Sequence, residues 1–176
     1  MTAAIELVYT EPEVTTEYLE SVLFRDLIGE CSTTLYGSSN RINNITLSSD
    51  AIDGTILEPG EVFSFNQIVG RRTAARGYRP GPSYSGGRTV MTIGGGICQV
   101  SSTIYSAIRD TDLRVLERHP HGRPVTYLPR GRDATVSWGT LDFRFMNNTD
   151  FPLLVDVKIT GKTITAQIYG TLTEER

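Results

Sequence analysis

Residues 94–108, Gly94-Gly95-Gly96-Ile97-Cys98-Gln99-Val100-Ser101-Ser102-Thr103-Ile104-Tyr105-Ser106-Ala107-Ile108, divide the sequence into two differently patterned parts. Ile97, Val100, Ile104, Ala107 and Ile108 recur at helical spacing. That spacing predicts an amphipathic helix over 97–109, opened by the glycines and closed by Asp110 to Asp112.

Upstream of this stretch the patterns are helices and turns. Asn40 is the expected cap of a helix that carries Ile42, Ile45 and Ile52 and stops at Gly54. Small polar residues, Ser32 to Ser39, read as the loop before it. Pro59-Gly60 marks a turn, followed by a short strand over Val62 to Phe65. Residues 70–88, with Gly70, Gly77, Gly81, Gly86, Gly87, Pro80 and Pro82, read as a long irregular stretch of the kind that carries function.

Downstream, strand patterns dominate: 113–117, 125–128, 134–138, 141–145, 153–159 and 163–169, with a hairpin turn at Gly161-Lys162. The expected fold class is therefore α+β, with helices mainly in the first half and an antiparallel-rich sheet in the second. Residues 1–26, a strand pattern at 5–9 and a short helix capped by Thr15 or Thr16, read as an arm or the tail of a preceding domain. The domain proper then spans 27–176.

The chain has 176 residues, 39% hydrophobic and 21% charged, which suits one compact soluble domain. A net charge of −3 leaves no electrostatic footprint for nucleic acid or for an anionic membrane. No stretch reaches the roughly 18 apolar residues of a membrane span, and the N-terminus lacks the basic-then-apolar layout of a signal peptide. Arg114, Arg118, Arg123, Arg130 and Arg132 lie close together in sequence and would suit a carboxylate if they shared a face.

Cys98 carries the chemistry. A thiol at a helix N-terminus meets unpaired N–H groups and the positive end of the helix dipole, and both favour the thiolate. Gly95 and Gly96 would let substrate approach, and backbone N–H groups of residues 97–99 would hold an oxyanion. A thiolate nucleophile needs a base, supplied by His119 or His121, with the other free to bind substrate. Asp133, opening a later strand, can orient that base, which completes a thiol acyl-transfer triad. Three other readings use the same residues. Cys98 can be a small buried residue, the four side chains can ligate zinc, or Asp133 can be a turn residue. With two cysteines, a Cys31–Cys98 bridge is a further option, whereas a phosphate loop lacks its GK[ST] ending.

Five stretches in consistent order resemble the VanW family: Asn40-Arg41 with Asn44-Ile45, PGEVFSFNQIVGRRTAARGY (59–78), GGGICQVSSTIY (94–105), ERHPHGRPVTYLPRGRDATVSWG (117–139) and DFRFMNNTDFPLLV (142–155). The resemblance implies a bacterial cell-envelope protein with peptidoglycan or its stem peptides as partner, linked to glycopeptide resistance. It also implies a preceding peptidoglycan-binding domain and an extracytoplasmic location in a secreted or anchored parent. On that basis the expected activity is a cofactor-free Cys–His hydrolase or transpeptidase. The alternative is a non-catalytic module that binds peptidoglycan or protein through residues 70–96. Position by position, Cys98 and Gln99 match the family's GGGICQ, His121 its Pro-His pair, and Arg132-Asp133 its Gly-Arg-Asp. This favours His121 as base and places Gln99, His119 and Arg132 among substrate-binding candidates. Gly122 stands where members often have serine, and Cys31 has no counterpart.

Overall fold

The computed structural model describes residues 23–85 and 87–172, with Thr15, Thr16 and Tyr18 before them. The strand expected at 5–9 lies outside the described residues, as does most of the helix after Thr15. The elements run β1 (Asp26–Thr34), α1 (Ser39–Ile52), β2 (Thr55–Leu57), β3 (Val62–Ser64), α2 (Phe65–Val69), a 3-10 turn (Ala74–Arg76), β4 (Pro80–Ser85), β5 (Arg88–Ile93), α3 (Cys98–Ile108), β6 (Arg114–Glu117), β7 (Arg144–Met146), β8 (Leu153–Thr160) and β9 (Thr163–Gly170). They form a mixed α+β fold whose strand pairs are all antiparallel. The sheets have orders β1-β9-β8-β2, β3-β7-β6 and β4-β5. The α-helices among the described residues end by Ile108, and the longest of the described hairpins, β8–β9, turns at Gly161-Lys162 as its sequence pattern predicts.

Helix α3 is the centre of the molecule. One side lies against β1 and β9. The other receives Tyr105 against Phe143, at 5.8 Å and nearly edge-on, from the aromatic cluster Phe63, Phe143 and Phe145. The expected amphipathic helix therefore has little exposed face: Gln99, Ser101, Ser102 and Thr103 are as buried as Val100 and Ile104. Hydroxyls make this tolerable because each finds a partner. Thr103 donates to the Gln99 carbonyl at 2.7 Å and pairs with the Thr33 hydroxyl at 2.8 Å. Ser101 donates to the Ala134 carbonyl at 2.8 Å, and Ser102 accepts from the Ala134 N–H at 3.0 Å.

Several elements differ from the sequence reading, each for a physical reason. The run expected as a loop from Ser32 begins inside strand β1 (Asp26–Thr34), where small residues let α3 lie close. A Cβ on Gly29 would stand 2.2 Å from the Ala107 carbonyl oxygen. Ser38, not Asn40, caps α1, its hydroxyl accepting from the Arg41 N–H at 3.4 Å, while Asn40 donates to the Pro80 carbonyl. The strand at Val62 ends at Ser64, which caps α2. Residues 80–93 form a two-stranded ribbon rather than an irregular stretch. Every residue of β5 is exposed, so no buried face imprints a period of two.

Segments 125–128 and 134–138 are not strands. Their one ladder contact is the isolated bridge Ser137↔Leu141, and the backbone of 134–135 bonds to serine side chains of α3 and to His119 instead. No helix among the described residues is long and apolar enough to cross a membrane.

Candidate functional site

A cavity of about 730 Å³ opens beside the N-terminus of α3. Cys98, the first residue of the helix, lines it together with His121. The cysteine is half-buried and free, as is Cys31. Its S–H donates to the Val136 carbonyl at 3.5 Å.

Two loop segments bring the remaining groups to the thiol. Ala134 is clamped by Ser101 and Ser102 of α3, which sets Asp133 at the edge of the helix. The Thr135 N–H donates to the His119 carbonyl at 2.7 Å, which holds segment 119–121 alongside. Asp133 Oδ2 then accepts from the His121 N–H at 2.6 Å and from His121 Nδ1 at 2.7 Å. An ionised carboxylate can only accept, so Nδ1 carries the proton and the other ring nitrogen is left for the thiol. Cys98 and His121 line the same cavity, and Cys98 is among the groups that raise the imidazole's pKa.

The electrostatics agree with this chain of contacts. Burial alone would push the His121 imidazole down, yet hydrogen bonding and charge from Cys98 and Asp133 outweigh it and leave its pKa raised. Burial would likewise raise Asp133, but the His121 backbone and ring and the Arg118 charge hold it below the usual carboxylate range. Both side chains are about one-tenth exposed (10% and 9%), so little solvent screens the pair. Arg118 donates to Asp133 Oδ1 at 3.2 Å and to the Asp133 carbonyl at 2.7 Å, and lies over the Tyr105 ring at 4.9 Å.

The structure brings Cys98, His121 and Asp133 together and sets the other candidates elsewhere. His119 turns to Glu117, with Nε2 at 3.0 Å from Oε1, and does not line the cavity. Arg132 pairs with Asp110 at 2.8 Å beyond the far end of α3. Gln99 is fully buried, accepting from Arg41 at 2.7 Å and donating to Thr33 Oγ1 and the Thr34 carbonyl. Gly96 lines the cavity, whereas Gly95 packs on Gly81. Of the N–H groups near the thiol, those of Ile97, Gln99 and Val100 are bonded to the Gly94, Gly96 and Ile97 carbonyls. The oxyanion donor expected from residues 97–99 therefore narrows to the Cys98 N–H. Among the described residues no group of three or more His, Cys, Asp and Glu side chains is placed to hold a metal, so the zinc arrangement is not formed.

Sequence reasoning assigns no role to Arg41, Arg72, Tyr127 or Trp138, all of which line the cavity. Burial pushes the Tyr127 phenol well up, and its hydroxyl pairs with the Ser102 hydroxyl at 3.4 Å. Arginine beside asparagine and serine at a helix start reads as surface, and no local pattern reveals that Arg41 is 6% exposed.

The sequence model of a family described as "VanW like protein" matches residues 40–169. An uncharacterized protein, YoaR, of Bacillus subtilis (strain 168) is 44% identical over 161 residues, covering 90% of this chain and 52% of that protein. The vancomycin B-type resistance protein VanW of Enterococcus faecalis (strain ATCC 700802 / V583) is 28% identical over 136 residues, covering 74% of this chain and 50% of that protein. The chain thus spans about half the length of the curated relatives it matches. No solved structure is a significant match.

Proposed function

This chain belongs to the VanW-like family, and from that premise we propose that it is a cell-envelope Cys–His enzyme cutting or exchanging a peptide or amide bond of peptidoglycan. The observation that carries the chemistry is the His121–Asp133 hydrogen bond at the wall of a cavity that Cys98 and His121 both line. The envelope and peptidoglycan parts rest on the family and on the name of the enterococcal relative, a vancomycin B-type resistance protein.

In this reading His121 holds the proton released by Cys98, and the thiolate attacks the carbonyl carbon. The Cys98 N–H donates to the oxyanion as it forms. Collapse of the tetrahedral adduct breaks the C–N bond, and His121 passes its proton to the leaving amine. Water or a second amine then attacks the thioester, giving its proton back to His121 as the thiolate leaves. Water makes the protein a hydrolase, and an amine makes it a transpeptidase. Asp133 keeps the ring oriented and supports the imidazolium, with Arg118 fixing Asp133 in turn.

The test is the pH dependence of Cys98 alkylation by iodoacetamide in a Cys31→Ser background, with and without His121→Ala. A rate plateau reached well below pH 8.5 that disappears with His121 supports the pair. An ordinary thiol profile in both proteins removes the enzyme reading. The exposed ribbon β4–β5, with Tyr84 and Met91 each 63% exposed beside the cavity, then favours a cell-wall binding module. In that case Cys98→Ser binds purified cell wall as the unaltered protein does.

A further inference from the structure

We propose that Arg41 and Arg72 form a carboxylate-binding subsite beside Cys98, so that the peptide substrate carries a free carboxylate near the bond attacked. The substrate part of this inference rests on the Cys–His reading above, but the subsite itself does not.

Arg41 and Arg72 both line the cavity that Cys98 lines. Their partners are all neutral. Arg41 donates to the Tyr36 carbonyl at 2.8 Å and to Gln99 Oε1 at 2.7 Å. Arg72 donates from one nitrogen to Asn66 Oδ1 at 2.8 Å and to the Gly70 carbonyl at 2.9 Å. Among the described residues neither forms an ion pair, whereas Arg118 and Arg132 pair with Asp133 and Asp110. Asp142 is the acidic group whose charge reaches Arg72. Its oxygens are taken by the Ser64 hydroxyl and by the N–H groups of Asn66 and Phe143. Each guanidinium has five N–H donors, so both keep donors in reserve.

Arg41 is buried and Arg72 half-buried, and cations so placed without an ion-pair partner are unfavourable unless something compensates them. Burial works against both charges. A carboxylate, which matches the planar fork of arginine, would offset that cost.

The fold also holds these side chains in place. Arg41 lies over the Tyr36 ring at 4.6 Å, and Arg72 over Trp138 at 5.9 Å. The glycines before Cys98 make room for their stems. A Cβ on Gly96 would stand 2.6 Å from Arg41 Cγ, and one on Gly94 would stand 2.8 Å from Arg72 Cβ. Gln99 both accepts from Arg41 and is anchored on β1. The GGGICQ stretch thus makes room for both arginine stems beside the start of α3.

The experiment uses the whole chain with Cys98→Ala, which needs no thiol chemistry. N-acetylalanine and N-acetylalaninamide are titrated separately while the emission of Trp138, the single tryptophan, is followed. The acid is expected to bind at least about tenfold more tightly than the amide, as a charge-assisted forked contact requires. Arg72→Met should abolish the difference and Arg72→Lys should keep part of it. Equal binding of acid and amide, or no binding of either, overturns the subsite. The acid–amide comparison needs no arginine variant to fold. A preference for the acid with an unreactive Cys98 in the alkylation test would sustain the subsite while removing the enzyme reading. A reactive thiol without that preference does the reverse.

Discussion

Gly94, Gly95 and Gly96 each stand where a methyl group would collide with something specific: the Arg72 stem, the Gly81 carbonyl and the Arg41 stem. Gly96 also has φ 105°, a conformation that side chains rarely adopt. Gly96→Ala is therefore expected to lose about 1–3 kcal/mol of stability in urea unfolding. Gly122→Ala, with nothing within 4 Å of the added carbon, should be nearly neutral. The His121–Asp133 pair gives a pH signature. His121 has a raised folded pKa, so its contribution is present below the ordinary value of 6.5 and is lost as pH rises through the folded value. Asp133 has a lowered folded pKa, so its contribution is present above 3.8 and is lost as pH falls through the folded value. Stability should thus be highest between those limits. Asp133→Asn should flatten both limbs when unfolding free energy is measured against pH.

Helix α3 and the loop 133–136 act as one unit, since Ala134 is held through both its N–H and its carbonyl by Ser101 and Ser102. Ser102→Ala removes the acceptor of a buried N–H, and should destabilise by about 1–3 kcal/mol. It should also lower the Cys98 alkylation rate, because Asp133 is the neighbour of the residue released. A role in packing alone would change stability and leave that rate untouched. The ribbon β4–β5 is the opposite kind of element. Its strands pair with each other, and the only helix contact of note is between β4 and α1. Its β5 amides are expected to exchange with deuterium far faster than those of β8 and β9, which sit in the four-stranded sheet.

At the scale of the molecule, α3 touches the four-stranded sheet on one side and the aromatic cluster on the other, so neither half has a core of its own. Thermal or urea unfolding followed by Trp138 fluorescence, at the site, and by far-UV circular dichroism, over the sheets, should give coincident transitions. Separate midpoints would show that the site and the sheet are independent units. The patterns that sequence reveals are those where one face is buried and the other is wet. They are clear in β8 and β9, where buried and less buried residues alternate, and so define the hairpin and the α+β class. The limits of α3 follow from its glycines and Asp110 to Asp112, and the candidates Cys98, His119, His121 and Asp133 from their chemistry. Where burial is two-sided or absent, the pattern vanishes. That is why β1, the β4–β5 ribbon and the non-strand character of 134–138 emerge only in three dimensions. Tertiary structure alone decided that His121 and not His119 reaches Asp133, that Gln99 and Arg132 lie off the cavity, and that Arg41 and Arg72 line the cavity that Cys98 lines. Each of these depends on contacts between residues far apart in the chain, made by side-chain hydrogen bonds that leave no periodic trace in the sequence.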